Sequence, residues 1–431
     1  MLRSLVGSEM CIRDRARGAH NSGLWLCEPH RPMSFNTRRM LNMTKREAVI
    51  VGVADLPLKD GKVLAPMSVL QAQALVARDA LKDAGIPMSE VDGLLTAGLW
   101  GVPGPGQLPT VTLSEYLGIT PRFVDGTNIG GSAFEAHVAH AATAIEAGRC
   151  EVALITYGSL QKSEMSRNLA GRPAVLTMQY ETPWGMPTPV GGYAMAAKRH
   201  MHEYGTTSEQ LAEIAVATRK WAALNPAATM REPLSIEDVL QSTMISDPLH
   251  LLDICLVTDG GGAVVMTTAE HAKALGRKPV YVRGYGESHT HWTIAAMPDL
   301  ARLTAAEVAG RDAFAMAGIG HDAIDVVEVY DSFTITVLMT LEALGFCRRG
   351  EGGAFVSKQR TSPGGAFPLN TNGGGLSYAH PGMYGIFLLI EAVRQLRGEC
   401  GPRQIANAVT ALVHGTGGTL SSGATCILSN R

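Results

Sequence analysis

The sequence lacks the features that mark membrane proteins and nucleic-acid-binding proteins. No uninterrupted apolar run reaches the roughly 18 residues that a membrane helix needs, since the strongest candidate, Ile386–Ile390, stops at Glu391. Neither sign of charge is in excess: Lys and Arg total 37, Asp and Glu total 39, and the formal net charge is −2. A basic field for nucleic acid or for an anionic membrane is therefore excluded. We expect a cytoplasmic protein whose partners are neither nucleic acid nor membrane.

Cysteine is scarce and scattered. The 431 residues include seven cysteines, with no CxxC pair and no other zinc-ligand spacing, so the sequence predicts neither a disulfide framework nor a metal site. Apolar residues make up 46% and charged residues 18%, which is typical of globular proteins, and the length suffices for two or three domains. The 48 glycines are informative because they cluster.

The first 42 residues differ from the rest of the chain. Met1–Asn42 contains seven arginines and shows neither a helical nor a strand period. It has no apolar segment of the kind found in signal peptides, and an Arg-rich transit peptide is the less favoured alternative. Residues 1–15 resemble a translated sequencing adapter. We therefore expect 1–42 to be a non-native or disordered extension and the natural protein to begin at Met43.

An internal repeat predicts the architecture. Arg78–Asp92 and Arg311–Asp325 are identical at seven of 15 positions. Each copy predicts a helix that ends at a glycine in the left-handed C-cap position, Gly85 or Gly318. Each helix is preceded and followed by an apolar segment typical of a strand. The first half of the chain is therefore repeated in the second half.

A second pair of segments extends the repeat. Phe123–Ser132 and Phe367–Leu376 each carry a Thr-Asn pair and a glycine run that lead into a helix and then a strand. Each half reads β-α-β, glycine turn, α, β, which predicts mixed α/β sheets covered by helices. We place the halves at 43–270 and 277–431. The first half carries an insertion at about 160–250, which is either a lid, a binding loop or an oligomer contact, or a structural cap.

The glycine turns are the candidate sites. A glycine-rich turn that opens a helix presents unpaired backbone N–H groups, which can stabilise a phosphate or an oxyanion. A dinucleotide fingerprint fits poorly, because Gly415-Thr-Gly417 lacks the third glycine. A nucleophile elbow fails around Ser132, because its last position is Phe134. Four turns compete for the role: Thr127–Ser132, Thr371–Gly385, His414–Gly423 and Val257–Ala263.

The duplicated halves, the NTNGGG…HPG block at 370–382 and the GTGG turn at 415–418 resemble the thiolase superfamily, from about Ala48 onward. The match is best with its sterol-carrier-type, lipid-transfer-protein branch. The resemblance implies a duplicated five-layer α-β-α-β-α fold with an inserted loop domain. It also implies a homodimer that acts on coenzyme A thioesters between the halves, without a tightly bound cofactor. Relatives often pair with a small zinc-ribbon/OB-fold protein that binds acyl-CoA, and here such a partner would be a separate chain.

The thiols on which thiolases depend are absent. The family's nucleophilic cysteine opens the helix of the first glycine turn, where this sequence has Gly131, or Gly130 if Ser132 is aligned instead. The second catalytic cysteine of the family falls near Gly415. The five cysteines that follow residue 42 are predicted to be buried structural thiols. Ser132 would need an adjacent base to act as a nucleophile.

Some residues that match the family's oxyanion-binding site are present. His380 matches the histidine of the family's G-H-P motif, which binds the thioester oxygen. Tyr330 takes the place of the family's water-holding residue, and Tyr384 lies one helical turn after His380 if the helix has begun. Backbone N–H groups that could hold a charge lie at Gly130, Gly131 and Gly415. Possible substrate-binding residues are Ser132, Asn372 and His414.

Two phenols and an imidazole without a thiol resemble the cysteine-less thiolase-like aldolases, which cleave a β-hydroxyacyl-CoA to a ketone or aldehyde and a short acyl-CoA. That resemblance assigns Tyr330 as base and Tyr384 to protonate the enolate or to orient the substrate. Because a free tyrosine titrates at about pH 10, the base needs either a lowered pKa or proton abstraction concerted with cleavage. Two alternatives stay open: an acyl-CoA C-acyltransferase, and a non-catalytic acyl-CoA or lipid carrier.

Overall fold

A computed structural model describes residues 46–98, 108–164, 179–186 and 188–431. The predicted extension 1–42 and part of the predicted insertion, 165–178, lie outside the described residues. The strands are β1 Ala48–Asp55, β2 Leu58–Lys59, β3 Lys62–Val63, β4 Gly93–Leu95, β5 Phe123–Asp125, β6 Ala153–Ser159, β7 Met244–Ser246, β8 Leu249–His250, β9 Gly260–Thr268, β10 Val280–His289, β11 Val326–Val329, β12 Thr410–Gly417 and β13 Ser422–Ser429. The α-helices are α1 Val69–Ala84, α2 Pro109–Leu117, α3 Ala133–Glu146, α4 Val190–Tyr204, α5 Ser208–Ala223, α6 Ile236–Gln241, α7 Ala269–Ala274, α8 Thr304–Ala317, α9 Thr334–Ala343, α10 Gly352–Val356 and α11 Gly385–Arg397.

Nine of these strands form one mixed sheet in the order β11-β12-β13-β10-β1-β9-β6-β4-β5. The series β1-β9-β6-β4 and β10-β13-β12-β11 repeat one pattern, two antiparallel pairs followed by a parallel pair. The two series meet where β1 pairs with β10, through Val49↔Tyr281 and Ile50↔Val280. The repeat predicted from the sequence is therefore present in the strand pairing.

Helices cover the sheet on both faces. Helix α1 packs on β1, β6 and β9, and α8 packs on β10, β12 and β13. Helices α3 and α11 contact strands of both series, so they lie between them. Along β1, Val49 and Val51 pack with α1 while Ile50 packs in the central layer, as the alternation of side chains along a strand requires. The two strand series are thus the two β layers, α3 and α11 form the helical layer between them, and α1 and α8 lie in the outer layers. The predicted five-layer α-β-α-β-α arrangement is confirmed.

The repeat extends to the glycines. Gly85 and Gly318 end α1 and α8 with φ values of 73° and 67°, as predicted. A Cβ added at Gly52 would lie 2.2 Å from the carbonyl oxygen of Ala80, and a Cβ at Gly284 would lie 2.2 Å from the equivalent oxygen in α8. Both glycines therefore allow a helix to approach its strand closely.

The part of the insertion that the structure describes builds α4, α5, α6 and the β7–β8 hairpin. Helix α5 packs against α9, α10 and a π-helical turn at Gly374–Tyr378. Helix α5 thus supports the turn that leads into His380.

Within the described residues, no helix is long and apolar enough to cross a membrane.

Candidate active site

Two of the predicted residues lie in direct contact. Tyr330 follows β11, and its backbone N–H donates to the carbonyl oxygen of His414 at 2.9 Å, which fixes the start of the loop. The Tyr330 hydroxyl lies 2.9 Å from Nε2 of His380, and the two rings meet edge to face with centroids 5.7 Å apart. Both residues are 4% exposed. The structure therefore brings the predicted base and the predicted oxyanion residue together.

Hydrogen bonds from backbone N–H groups to two side chains hold His380 and the turn that precedes it. Its N–H donates to Oγ1 of Thr258 at 2.9 Å. Before it, the carboxylate of Asp331 accepts from the N–H groups of Gly375 and Leu376, at 2.6 and 3.1 Å, and so anchors the π-helical turn. Burial raises the pKa of Asp331 to about 6. Asp331 thus positions the segment that presents the imidazole.

Tyr384 contacts Tyr330 through its backbone. Helix α11 begins at Gly385, so Tyr384 precedes the helix and does not share it with His380. The Tyr384 N–H donates to the Tyr330 hydroxyl at 3.2 Å, while the Tyr384 hydroxyl donates to Oδ1 of Asn372 at 2.9 Å. The Asn372 amide, predicted as a substrate contact, is therefore occupied in holding a tyrosine.

Both phenols are protonated at rest. Burial raises the pKa of Tyr330 and of Tyr384 well above the ordinary value, because an apolar environment disfavours the phenolate. Of the two routes that the sequence left open for a tyrosine base, a lowered pKa is not seen. The Tyr330 proton can leave only as another group takes it, and Nε2 of His380 is in place to do so.

The phenol of Tyr330 fills the space that a side chain at Gly131 would need. A Cβ built at Gly131 would lie 2.1 Å from Cε2 of Tyr330 and 2.6 Å from the carbonyl oxygen of Thr416. Gly130 has a φ of +71°, and its Cβ would lie 2.6 Å from the N atom of Gly418. These contacts bring the first glycine turn, the GTGG turn and Tyr330 together. Among the predicted donors, however, the N–H of Gly130 already donates to Oδ1 of Asn128 at 3.2 Å.

A buried carboxyl that the sequence analysis missed lies against Gly415. A Cβ at Gly415 would be 2.2 Å from Oε2 of Glu135. Glu135 is fully buried in the first turn of α3, and neither of its carboxyl oxygens has a hydrogen-bond partner in the described part of the chain. Burial raises its pKa to about 8. The signal in the sequence was an acidic residue in the apolar first half of a helix, four residues after Gly131.

Ser132 and His414 have structural partners. The Ser132 hydroxyl lies 2.9 Å from Oγ of Ser422 and donates to the carbonyl oxygen of Ile129 at 3.1 Å, and neither of these partners is a general base. The imidazole of His414 lies 2.8 Å from Oγ1 of Thr425, and burial lowers its pKa to about 3. Neighbouring side chains on a strand point to opposite faces. The His414 side chain is therefore turned away from the face of Gly415, contrary to its predicted role.

The five cysteines in the described part of the chain offer no substitute nucleophile. Cys150, Cys255, Cys400 and Cys426 are buried as predicted, whereas Cys347 is half-buried. Burial raises the pKa of Cys150 to about 11 and that of Cys347 to about 12, so both remain thiols rather than reactive thiolates. Among the residues that the structure describes, no group of three or more His, Cys, Asp or Glu side chains is arranged to hold a metal ion.

Comparison with known proteins identifies the family. Residues 286–430 match the family model described as "Thiolase C-terminal domain-like". An acetyl-CoA acetyltransferase of Methanothermobacter thermautotrophicus is 34% identical over 81% of this chain and 91% of the relative. A 17-hydroxy-3-oxo-4-pregnene-20-carboxyl-CoA lyase of Mycobacterium tuberculosis is 34% identical over 83% of this chain and 93% of the relative. A solved structure named "Ltp2-ChsH2(DUF35) aldolase" has a TM-score of 0.78 and 31% identity, covering 89% of this chain and 98% of that chain. The chain therefore belongs to the thiolase superfamily, in the branch of the sterol-carrier-type thiolases and thiolase-like aldolases.

Proposed function

We propose that this enzyme cleaves a β-hydroxyacyl-CoA by a retro-aldol reaction, giving a ketone or aldehyde and a shorter acyl-CoA. The observation that carries the proposal is the Tyr330–His380 pair, whose phenol fills the space beside Gly131 that a thiol would need. A carbon–carbon cleavage that begins at a hydroxyl group needs a base and no covalent acyl-enzyme. The two similar proteins named as a CoA lyase and an aldolase support the same reaction class.

In the proposed reaction, Tyr330 accepts the proton of the β-hydroxyl while its own phenol proton passes to Nε2 of His380. The two transfers are concerted, because the pKa of the phenol lies well above its ordinary value. The backbone N–H of Tyr384, bonded to the same hydroxyl, stabilises the charge that develops there. Since the Tyr384 hydroxyl is bonded to Asn372, its orienting role is favoured over proton donation. The Cα–Cβ bond then breaks, and its electron pair passes into the enolate of the thioester.

The thioester oxygen becomes the negatively charged atom of that enolate. We assign its stabilisation to His380, once protonated, together with backbone N–H groups at Gly131 and Gly415. An imidazolium beside the enolate oxygen is a strong hydrogen-bond donor in a buried site. His380 thus links the two halves of the reaction, because the proton that leaves the hydroxyl creates the donor that the enolate needs.

The assembly is part of the proposal. We propose a homodimer and a separate small zinc-ribbon/OB-fold protein that holds part of the acyl-CoA. The similar structure named "Ltp2-ChsH2(DUF35) aldolase" supports a partner of this type. Co-purification of the chain with a candidate partner, followed by light scattering, measures the stoichiometry of both contacts.

Mass spectrometry of the coenzyme A products tests the reaction. With β-hydroxyacyl-CoA we expect a shorter acyl-CoA and a carbonyl product, and with β-ketoacyl-CoA plus free CoA we expect no thiolysis. Tyr330→Phe should lower kcat by about 100-fold or more while binding is kept, because it removes the general base. Tyr281→Phe, on β10 and outside the site, is the matched control and should retain full activity. Thiolysis would establish an acyltransferase instead, and binding without turnover in either assay would establish a carrier.

A further inference from the structure

The carboxyl group of Glu135 is buried without a hydrogen-bond partner in the described residues. This carboxyl lies against two glycine backbones, because a Cβ at Gly415 would be 2.2 Å from Oε2 and a Cβ at Gly385 would be 2.5 Å from the same atom. The side chain is fully buried, and neither carboxyl oxygen has a hydrogen-bond partner among the described residues. Burial of a carboxyl without a partner opposes folding by several kcal/mol, so its presence requires an explanation.

Other buried carboxyls of the central layer have partners. Oε1 of Glu328 accepts from the backbone and the hydroxyl of Thr371, at 3.1 and 2.9 Å. Glu391 forms a buried ion pair with Arg403 at 2.8 Å. Glu328 and Glu391 each have at least one carboxyl oxygen held by a donor, whereas neither oxygen of Glu135 is held in the part of the chain that the structure describes.

Glu135 also lies beside the proposed reaction centre. A Cβ built at Gly385 would lie 2.5 Å from Oε2 of Glu135 and 2.3 Å from the carbonyl oxygen of Gly131, the residue against which the ring of Tyr330 packs. Gly385, which contacts the carboxyl, directly follows Tyr384, whose N–H donates to the Tyr330 hydroxyl. The carboxyl and the phenol therefore contact consecutive residues, Gly385 and Tyr384, at the start of α11.

We propose that Glu135, as a neutral carboxylic acid, delivers the proton that converts the enolate into the acyl-CoA product. The inference rests on the retro-aldol function proposed above. That reaction leaves an enolate carbon that needs a proton, while the proton on the Tyr330–His380 pair is committed to stabilising the enolate oxygen and the Tyr384 hydroxyl is bonded to Asn372.

The protons balance without a further reactant. The β-hydroxyl proton moves to the Tyr330–His380 pair, the Cα–Cβ bond breaks, and the ketone or aldehyde departs. The carboxyl proton of Glu135 then forms the new C–H bond, and the resulting carboxylate is reprotonated as the pair gives up its proton through solvent. Burial raises the pKa of Glu135 to about 8, which keeps the acid protonated at neutral pH.

Hydrogen exchange into the product isolates this step. The enzyme, together with any partner that it needs, is incubated in D2O with acetyl-CoA or propionyl-CoA and no carbonyl compound, and deuterium at the α-carbon is measured by mass spectrometry. Glu135→Gln should lower the exchange rate by about 100-fold, the usual size of a lost general base. Tyr281→Phe, the control on β10 outside the site, should keep exchange within a few-fold of wild type.

The pH dependence of the two assays adds a signature that a structural role would not produce. Exchange needs the Glu135 carboxylate as base, so its rate should rise with pH up to about 8. Cleavage needs the neutral acid, so its rate should fall above about 8. The rise of the exchange rate and the fall of the cleavage rate with pH should both be absent in Glu135→Gln. Both should be present in Glu328→Gln, a matched control in which the amide oxygen can still accept from Thr371.

The outcomes separate the two proposals. Wild-type exchange without cleavage of any hydroxyacyl-CoA would overturn the aldolase function and leave Glu135 as an enolising base. Cleavage that continues unchanged in folded Glu135→Gln would overturn the role of Glu135 and leave the aldolase. If Glu135→Gln does not fold, Glu135→Asp takes its place. Exchange and cleavage rates that depend on pH identically in wild type and Glu135→Asp would overturn the assignment.

Discussion

At the residue scale, the site is defined by side chains that are absent as much as by those present. Gly131 has no side chain, and the Tyr330 ring occupies the space where one would be. We expect Gly131→Ala to destabilise the protein by about 1–3 kcal/mol, the usual effect of overpacking. Combined with Tyr330→Ala, the same change should destabilise by less than the sum of the single changes, because the clash with the ring is gone and only that with the Thr416 carbonyl oxygen remains. Urea unfolding of the four proteins of this cycle measures the coupling.

Gly126→Ala is the matched control for that cycle. Gly126 lies in the same segment, and a Cβ there would meet only ordinary contact, 3.7 Å from Cγ2 of Thr110. Its effect on unfolding should be small and independent of Tyr330. Additive free energies for Gly131→Ala and Tyr330→Ala would show that the ring moves aside without strain, and would contradict close packing between the ring and Gly131.

At the element scale, the π-helical turn Gly374–Tyr378 depends on Asp331. Removing the carboxylate by Asp331→Ala leaves the buried N–H groups of Gly375 and Leu376 without their acceptor, and each such loss destabilises by about 1–3 kcal/mol. Because the turn leads directly into His380, kcat should fall as well. Chemical denaturation and the cleavage assay measure the two effects. Asp238→Ala removes an exposed carboxylate from the start of α6; it should cost about 1 kcal/mol and leave kcat unchanged.

The elements themselves were largely predictable. Local signals predict them, since Gly85 and Gly318 each end a helix through a φ that only glycine adopts readily, and alternating apolar residues predict strands. The residues predicted for the site include both His414 and Gly415, although the alternation of side chains along a strand prevents them from facing the same layer. The start of α11 at Gly385 was not predictable, since it depends on the contacts that hold Tyr384.

At the scale of the whole molecule, the stability should vary with pH because of Glu135. Its pKa rises from the ordinary 4.5 to about 8 on folding, so the folded protein holds a proton that the unfolded chain has released between these values. The free energy of unfolding should therefore fall by at most about 1.4 kcal/mol per pH unit across this window, and level off above pH 8. Glu135→Gln should remove this slope and be more stable than wild type at pH 8. Urea unfolding of both proteins from pH 5 to 8.5 measures the difference.

The difference between the two proteins isolates Glu135 from other groups. Burial raises the pKa of Asp331 to about 6, and it lowers the pKa of His137 to about 4 and that of His414 to about 3. These groups contribute equally to wild type and variant, so they cancel. Parallel curves for the two proteins would contradict a protonated Glu135 in the folded state.

Glu135 also shows where prediction from the sequence ends. The motif around His380 and the position of Tyr330 follow from residue types in a fixed order, and both could be read from the chain. The environment of Glu135 arises only when α3, the start of α11 and β12 meet around it. Burial of a lone carboxyl is a property of three distant segments, and an acidic residue in the apolar start of a helix does not by itself predict it.

The crowding around the glycines limits the paths by which this protein can evolve. A cysteine introduced at Gly131 would collide with the ring of Tyr330, and one introduced at Gly415 would collide with the carboxyl of Glu135. A thiol at Gly131 needs both the Tyr330 ring and the Thr416 carbonyl oxygen to move, and a thiol at Gly415 needs the Glu135 carboxyl and the Ser132 backbone to move. An engineer who wishes to introduce thiol chemistry must therefore change the neighbours of both glycines together with the glycines themselves.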